Sequence, residues 1–332
     1  MVAELKQNRS FVNPAFLRAQ LNRFGPLFGL LLVIAIFSIL TGAPDRYLAP
    51  KNLRTVLVQT VIVAIGSIGM TMIIVSGGID LSVGSAIALC GVVTALGLKA
   101  GLSPVLAIMA GIVVGGLVGL VNGLAITRLR VVPFIATLGM LGVARGVAKG
   151  LAGSQTVIIP DTWANNLLLT VPQPEWLLVA PGVWLAIALA VIAAVVLRNT
   201  VFGRRVFALG SNEAAARACG IATDRLKVSI YTLAGLLFGL AGVLQMSRLR
   251  VGDPTVAAGL ELDIIAAVVI GGGSLSGGEG TILGSMIGAL IMAFLRSGCQ
   301  QLGWENYVQE IIIGAIIVTA VALDRWRSSV TT

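Results

Sequence analysis

Four amide and hydroxyl side chains lie inside or at the ends of long apolar stretches of this chain. They are Gln59, Asn122, Thr137 and Gln245. Each side chain donates and accepts hydrogen bonds without carrying a charge. Such groups suit either a path for an uncharged polar solute or hydrogen bonds between packed helices, and the sequence leaves both alternatives open.

Two glycine-rich segments share a pattern, GGIDLSVGS at 77–85 and GGGSLSGGE at 271–279, with Gly, Gly, Leu, Ser and Gly at equal positions. We interpret them as an internal pseudo-repeat. Glycine clusters in a membrane either break helices and line a pathway or allow tight helix packing. Asp80 and Ser274, one in each segment, are therefore further pathway candidates, although acidic residues beside apolar stretches, such as Asp80, Glu261 and Asp263, are expected to be interfacial.

Catalytic chemistry finds little support in the sequence. The chain has no histidine, and Cys90, Cys219 and Cys299 form no metal-binding spacing. LSGGE at 275–279 is similar to a nucleotide-contacting motif of ATPases, but no GxxxxGK[ST] phosphate loop accompanies it. Paired carboxylates or a Ser–Lys dyad at catalytic spacing are also missing from the sequence. We expect no enzymatic activity, no catalytic residue, no metal site and no cofactor on this chain.

The composition predicts an integral membrane protein. The 332 residues are 57% hydrophobic and 11% charged, with a mean hydropathy of +0.99. A soluble core of this size could not bury so much apolar surface. The net charge of +9 is spread over the ends of apolar runs, which indicates membrane orientation and argues against a nucleic-acid partner.

A bilayer core of about 30 Å needs roughly 20 apolar residues in a helix, and ten stretches approach that length. We predict an all-α fold with about ten transmembrane helices, at 25–42, 55–76, 81–98, 103–126, 131–149, 177–197, 228–247, 258–273, 281–300 and 307–323. The eighth and tenth stretches are the weakest, because three glycines shorten one and Glu310 interrupts the other.

The distribution of Lys and Arg places both termini in the cytoplasm. It predicts a cytoplasmic tail over 1–24, a single transmembrane domain over 25–325 and a cytoplasmic tail over 326–332. Residues 150–176 become an external loop, and the polar residues 198–227 become a cytoplasmic loop. With six predicted spans between them, the two glycine-rich segments face the same side.

The cytoplasmic loop 198–227 contains the signals of a short, separately capped helix. Ser211 or Asn212 suits the N-cap, Glu213 suits the first turn, and Gly220 suits a left-handed termination. The small residues between them would let the backbone approach a second protein closely. An ordinary solvated loop helix is the alternative.

This loop resembles the cytoplasmic signature of the permease subunits of bacterial ABC sugar importers, the ribose, xylose, arabinose and galactose group. The resemblance rests on ALGSNEAAARACGI at 208–221, SGGIDLSVGS at 76–85, VVPFIATLGM at 131–140, the run 261–290 and AVALDR at 320–325. Two places depart from the family pattern: Leu260 stands where many relatives have tyrosine, and RSGCQQ at 296–301 replaces an asparagine-rich stretch.

The resemblance implies a permease of the bacterial inner membrane that translocates a monosaccharide. It implies a homodimer, a cytoplasmic ATP-binding cassette that carries the ATP and Mg, and an extracytoplasmic sugar-binding protein. The residues that would couple to the cassette are Ser211, Asn212, Glu213, Ala214, Ala215 and Gly220. A sugar pathway would need amides, hydroxyls and an aromatic face, with no fixed charge. A secondary transporter driven by an ion gradient is the competing class.

Overall fold

The computed structural model describes residues 14–172 and 175–329. Within them the chain forms thirteen α-helices and one two-stranded β-ribbon. In chain order they are α1 (Pro14–Leu40), α2 (Pro44–Tyr47), α3 (Pro50–Val75), α4 (Val83–Lys99), α5 (Pro104–Arg128), α6 (Pro133–Leu151), β1 (Val157–Ile158), α7 (Pro181–Asn199), α8 (Val201–Ser211), α9 (Glu213–Ala218), α10 (Thr223–Leu249), β2 (Val251–Gly252), α11 (Leu260–Ile270), α12 (Ile282–Gln301) and α13 (Asn306–Ser329).

Each of the ten predicted spans coincides with a helix, and six of these helices are long and apolar enough to cross a membrane: α3, α5, α6, α7, α10 and α12. Shorter apolar helical segments occur at Gly25–Leu40, Val83–Lys99 and Asn306–Thr319. The prediction of ten full spans is wrong for 258–273. Helix α11 has 11 residues, roughly 16 Å, because Gly259 precedes it in a left-handed conformation and Gly271–Gly273 follow it.

The predicted tails meet helices in the described residues. Helix α1 begins at Pro14, inside the segment 1–24, and α13 continues to Ser329, inside the segment 326–332. Residues 1–13 and 330–332 lie outside the described residues. The cytoplasmic location of both termini stays a prediction.

Helices α5 and α10 pack through backbone contact. Both carry a Gly-xxx-Gly pattern, Gly115 with Gly119 and Gly235 with Gly239. A Cβ atom at Gly115 would lie 2.6 Å from the Cα of Gly239, so no side chain fits between the helices. Small residues at this spacing let membrane helices approach closely. Such packing matters in a membrane, because lipid is as apolar as the side chains and hydrophobic burial does not drive the helices together.

Helix α3 runs through the centre of the bundle, and α5, α6 and α7 lie at its edge. In the apolar stretch of α3, 94% of the residues are buried, compared with 17% in that of α6 and 22% in that of α7. Large apolar side chains on these outer helices and on α1 are exposed, including Leu32, Val113, Ile135 and Ile192. This surface suits lipid or a second copy of the chain.

The connections at one end of the bundle are tied together. Strand β1, within the predicted external loop 150–176, pairs antiparallel with β2, which follows α10. The guanidinium of Arg145 in α6 donates hydrogen bonds to the carbonyl oxygens of Pro254 and Val256, at 2.8 and 2.7 Å. The segment between β2 and α11 is therefore held against the bundle.

Thiol labelling tests the predicted orientation. We expect the exposed native Cys219 to react with a membrane-impermeant maleimide only from the cytosol, because it lies in the loop 198–227. A Thr156→Cys variant in a Cys219→Ser background should react only from outside, since Thr156 is exposed in the loop 150–176. Cys90 and Cys299 are buried and provide the unreactive control. Labelling of both positions from one side would contradict the orientation.

Candidate functional site

A polar cavity of about 290 Å³ lies between α3, α10, α11 and α12. Two of the predicted pathway residues, Gln59 on α3 and Gln245 on α10, line it together. Its other polar lining residues are Arg248, Asp263, Arg296 and Gln300. Ile62, Val63, Leu260 and Met292 supply apolar surface. The cavity thus joins side chains that are up to 241 positions apart in the sequence, Gln59 and Gln300.

Charges in this cavity are only partly compensated. Asp263 is 2% exposed and pairs with the guanidinium of Arg296. Arg248 makes no ion pair in the described residues, and its Nε atom is buried without a hydrogen-bond partner. The Oε1 atom of Gln59 is likewise buried and unpartnered. Both of these residues line the cavity, and each carries a buried polar atom whose hydrogen bond is unmade.

This lining suits a small molecule that is rich in hydroxyl groups. Amides both donate and accept hydrogen bonds, as hydroxyls do, and charged partners strengthen such bonds. The volume of the cavity lies just below the range of about 300–1,000 Å³ that is typical of ligand pockets, which favours a ligand of one ring. Two features of the lining differ from the expectation for a sugar pathway: Arg248, Asp263 and Arg296 are charged, and none of the described residues that line the cavity is aromatic.

Three other predicted pathway residues form a separate hydrogen-bonded cluster that braces the first glycine-rich segment. The Asp80 carboxylate accepts from Ser82 N at 2.7 Å and Ser82 Oγ at 2.6 Å, and Asn122 Nδ2 donates to it at 3.2 Å. Thr137 Oγ1 accepts from Leu81 N at 3.1 Å. None of the three lines the cavity, and their contacts hold this turn, so their place in a pathway stays a prediction.

Two of the carboxylates that were expected to be interfacial, Asp80 and Asp263, face the protein interior. Asp80 is 1% exposed and Asp263 is 2% exposed, so both side chains are enclosed by protein. Ser82 with Asn122 compensates the first carboxylate, and Arg296 compensates the second. Burying a carboxylate costs desolvation free energy. Hydrogen bonds or an ion pair offset part of this cost, whereas an isolated buried carboxylate would bear all of it.

The two glycine-rich segments meet at the end of α8, in a contact that we call the glycine junction: Gly77, Gly210, Gly277 and Gly278. Gly278 N donates to Val75 O at 2.9 Å, and a Cβ atom at Gly277 would lie 3.0 Å from the Cα of Gly77. A Cβ atom at Gly210 would overlap the carbonyl oxygen of Val75. The segments thus lie at the same end of the bundle, in direct contact with the element that leads into α9.

Ser274 belongs to the turn that forms the second half of this contact. Its backbone N donates to Glu279 O at 3.1 Å, and Gly277 N donates to Ser274 O at 3.1 Å. Ser274 is buried but does not line the polar cavity. The stretch LSGGE at 275–279 therefore belongs to a tight turn that joins α11 to α12.

Helix α9 confirms the short capped helix predicted in the loop 198–227. Asn212 is the N-cap, with its Oδ1 accepting from Ala215 N at 2.9 Å, and Gly220 follows the helix with φ of +82°. Ala216 is buried against the bundle, whereas Ala214 and Ala215 are exposed. The outward face of α9 therefore carries the methyl groups of Ala214 and Ala215, next to the exposed Arg217. The preceding residues, expected to be part of a loop, form α8.

Ion pairs fix α9 to the start of α10. Glu213 accepts from Lys227 Nζ at 2.7 Å and from Arg217 at 3.3 Å, and Arg217 also contacts Asp224 at 3.3 Å. Partial burial by itself would raise the pKa of Glu213, but its bonds to Lys227 and Arg217 hold that pKa below its usual range. A single exposed ion pair contributes little to stability, but here four residues form a connected network of ion pairs.

Sequence reasoning missed the arginines of the cavity. Arg248 and Arg296 stand near helix ends, where they looked like orientation signals. The sequence nevertheless contained a hint of the cavity, because Leu260 and the stretch 296–301 are the two places that depart from the family pattern. Leu260, Arg296 and Gln300 all line the cavity.

The sequence profile described as "Branched-chain amino acid transport system / permease component" matches residues 52–321, which is most of the chain. The matched region includes the polar cavity, the glycine junction and α9.

Several curated proteins are similar over nearly their full length. The "Ribose import permease protein RbsC" of Bacillus subtilis (strain 168) is 41% identical, covering 93% of this chain and 94% of that protein. The "L-arabinose ABC transporter permease protein AraH" of Azospirillum brasilense is 38% identical, covering 92% and 88%. The "Fructose import permease protein FrcC" of Rhizobium meliloti is 33% identical, covering 91% and 84%. No solved structure matches the chain.

Proposed function

The chain belongs to the permease-component family matched over residues 52–321, and from this premise we propose that it is the membrane-spanning permease of an ATP-driven monosaccharide importer. The polar cavity is the observation that carries the proposal, because it offers three glutamine amides and charged groups in a space for one sugar ring. The sugars named for the relatives, ribose, arabinose and fructose, are all monosaccharides. The protein is a multi-pass protein of the bacterial inner membrane.

The cavity occupies the outer half of the bundle in the predicted orientation. Gln245 and Arg248 stand near the end of α10 that leads to β2, and Arg296 and Gln300 stand near the last turn of α12. A sugar delivered by an extracytoplasmic binding protein would reach this cavity first. Contacts through a few amides suit transport, because a site on a translocation path must release its ligand.

Energy enters at the other end of the bundle through a separate ATP-binding cassette. The exposed methyl face of α9 supports this role, since Ala214 and Ala215 allow close approach of a partner's groove. Ser211 and Gly220 lie at the two ends of this contact surface. ATP and Mg would bind the cassette, and a second copy of the chain would complete the translocation path. The glycine junction links movement of α9 to α3 and to the turn before α12.

A secondary transporter is the alternative function. A carboxylate free to bind a coupling cation would favour it, but Asp80 and Asp263 are both bonded to neighbouring side chains. The sequence similarity to import permeases and the outward face of α9 support the ATP-driven class.

Gln245→Leu tests the cavity. We expect it to reduce sugar uptake roughly 5- to 150-fold, because an unmade hydrogen bond to a buried polar partner costs about 1–3 kcal/mol. Gln309→Leu is the matched control, since Gln309 is also buried and has an unpartnered amide nitrogen but lies outside the cavity. Uptake of labelled pentoses and hexoses, with branched-chain amino acids as competitors, provides the measurement.

Cassette binding and thermal stability should stay close to wild type in both variants. Equal uptake losses for Gln245→Leu and Gln309→Leu would contradict a specific role for the cavity. Competition by branched-chain amino acids, with none by sugars, would contradict the proposed substrate class.

A further inference from the structure

A large basic basin opens beside α9 and shares no lining residue with the polar cavity. Its volume is about 1120 Å³, and it lies between the end of α5, the α5–α6 connection, α9 and the start of α10. Its charged lining residues are Arg128, Arg130, Glu213, Arg217, Asp224, Arg225 and Lys227. Five cations therefore face two carboxylates.

Both carboxylates of the basin already have partners. Glu213 pairs with Arg217 and Lys227, and Asp224 pairs with Arg217. By contrast, Arg128, Arg130 and Arg225 are exposed and form no ion pair in the part of the chain that the structure describes. Three guanidinium groups thus face one basin without a compensating charge.

Apolar surface continues directly from these arginines. Leu124 and Val132 line the basin and are 39% and 58% exposed, and Leu129, between Arg128 and Arg130, is 73% exposed. Phe134 and Ile135 extend this surface along α6. A free anion would gain nothing from the apolar neighbours, whereas a lipid with an anionic headgroup would use both features.

We propose that this basin binds the phosphate headgroup of an anionic glycerophospholipid, with Arg128, Arg130 and Arg225 as the phosphate ligands. The planar guanidinium binds phosphate oxygens in pairs, and basic pockets between helices on the cytoplasmic side suit such headgroups. The basin shares Glu213, Arg217 and Lys227 with the ion pairs that fix α9. A bound lipid would therefore steady the helix that contacts the cassette. This inference needs the membrane location but not the identity of the transported solute.

The test compares two triple variants of the full-length chain in nanodiscs. The first, Arg128→Gln, Arg130→Gly, Arg225→Gln, removes the three charges, and glycine at 130 accepts the φ of +54° that Arg130 has. The matched control, Arg198→Gln, Arg204→Gln, Arg205→Gln, removes three exposed charges outside the basin. Native mass spectrometry measures retained phosphatidylglycerol against phosphatidylcholine.

We expect the basin variant to retain phosphatidylglycerol at least about tenfold less tightly than wild type, since each basic residue near an anionic surface contributes measurably. The control variant should retain it normally, and phosphatidylcholine retention should not change. Equal losses in both triple variants would overturn the proposal, because they would indicate nonspecific attraction. Displacement of the lipid by millimolar inorganic phosphate would also overturn it in favour of a free-anion site. Loss of the lipid when the cassette binds would assign the basin to the protein interface instead.

Discussion

Replacing Ala215 with tryptophan is expected to abolish sugar uptake and to release the ATP-binding cassette. Ala215 is exposed on α9 and directly precedes the buried Ala216. An indole ring there would hold a docked partner away from the helix. Overpacking of a close interface costs about 1–3 kcal/mol, which corresponds to a roughly 5- to 150-fold weaker association. Pull-down of the cassette and uptake of labelled sugar in the same membranes measure both effects.

Ala222→Trp provides the control for this result. Ala222 is exposed like Ala215 but lies between α9 and α10. Both variants should express and insert normally, because exposed substitutions usually change stability by less than about 0.5 kcal/mol. If Ala215→Trp retains the cassette and transports at the wild-type rate, α9 is an ordinary solvated helix and the coupling role is refuted.

Gly210→Ala is expected to uncouple transport from ATP hydrolysis. A methyl group at this position would overlap the carbonyl oxygen of Val75 and lie 2.6 Å from Gly278 N. These atoms belong to the backbone, so the end of α8 must move away from the glycine junction, at a cost of about 1–3 kcal/mol. Since the outward face of α9 is unchanged, we expect the cassette to stay bound while sugar uptake falls at least about tenfold.

Gly142→Ala is the matched control, because a Cβ atom at Gly142 on α6 would meet nothing within 4 Å. Thermal stability, cassette binding, ATP hydrolysis and uptake should be measured on both variants. If the Gly210→Ala protein folds, binds the cassette and transports normally, the glycine junction does not transmit movement from α9 to α3 and the turn before α12.

Local features of the fold were accessible from the sequence. Helix α9 follows from capping rules that act within a few residues, and Asn212 and Gly220 occupy the predicted positions. Proline at the first position likewise marks the start of several helices, including α3 and α5. The length of α11 was overestimated because the predicted stretch 258–273 still included Gly271–Gly273, whereas the helix ends at Ile270.

The candidate site depended on contacts between distant segments. Gln59 and Gln245 were chosen by residue type, and only the packing of α3 against α10 brings them to one cavity. The burial of Asp80 was not foreseen because Asn122, which adds to the local hydrogen bonds from Ser82, lies 42 positions away in the sequence. Arg296 looked like a charge at a helix end until its pairing with Asp263 showed otherwise.

Reconstituted transport tests the central claim most directly. Proteoliposomes containing the chain with its copurifying cassette, supplied with a sugar-loaded binding protein, are assayed for uptake of a labelled pentose or hexose. We predict accumulation that requires ATP and persists when proton and sodium gradients are collapsed. Accumulation by the chain alone, driven by an ion gradient and indifferent to ATP, would contradict the proposed function and establish a secondary transporter.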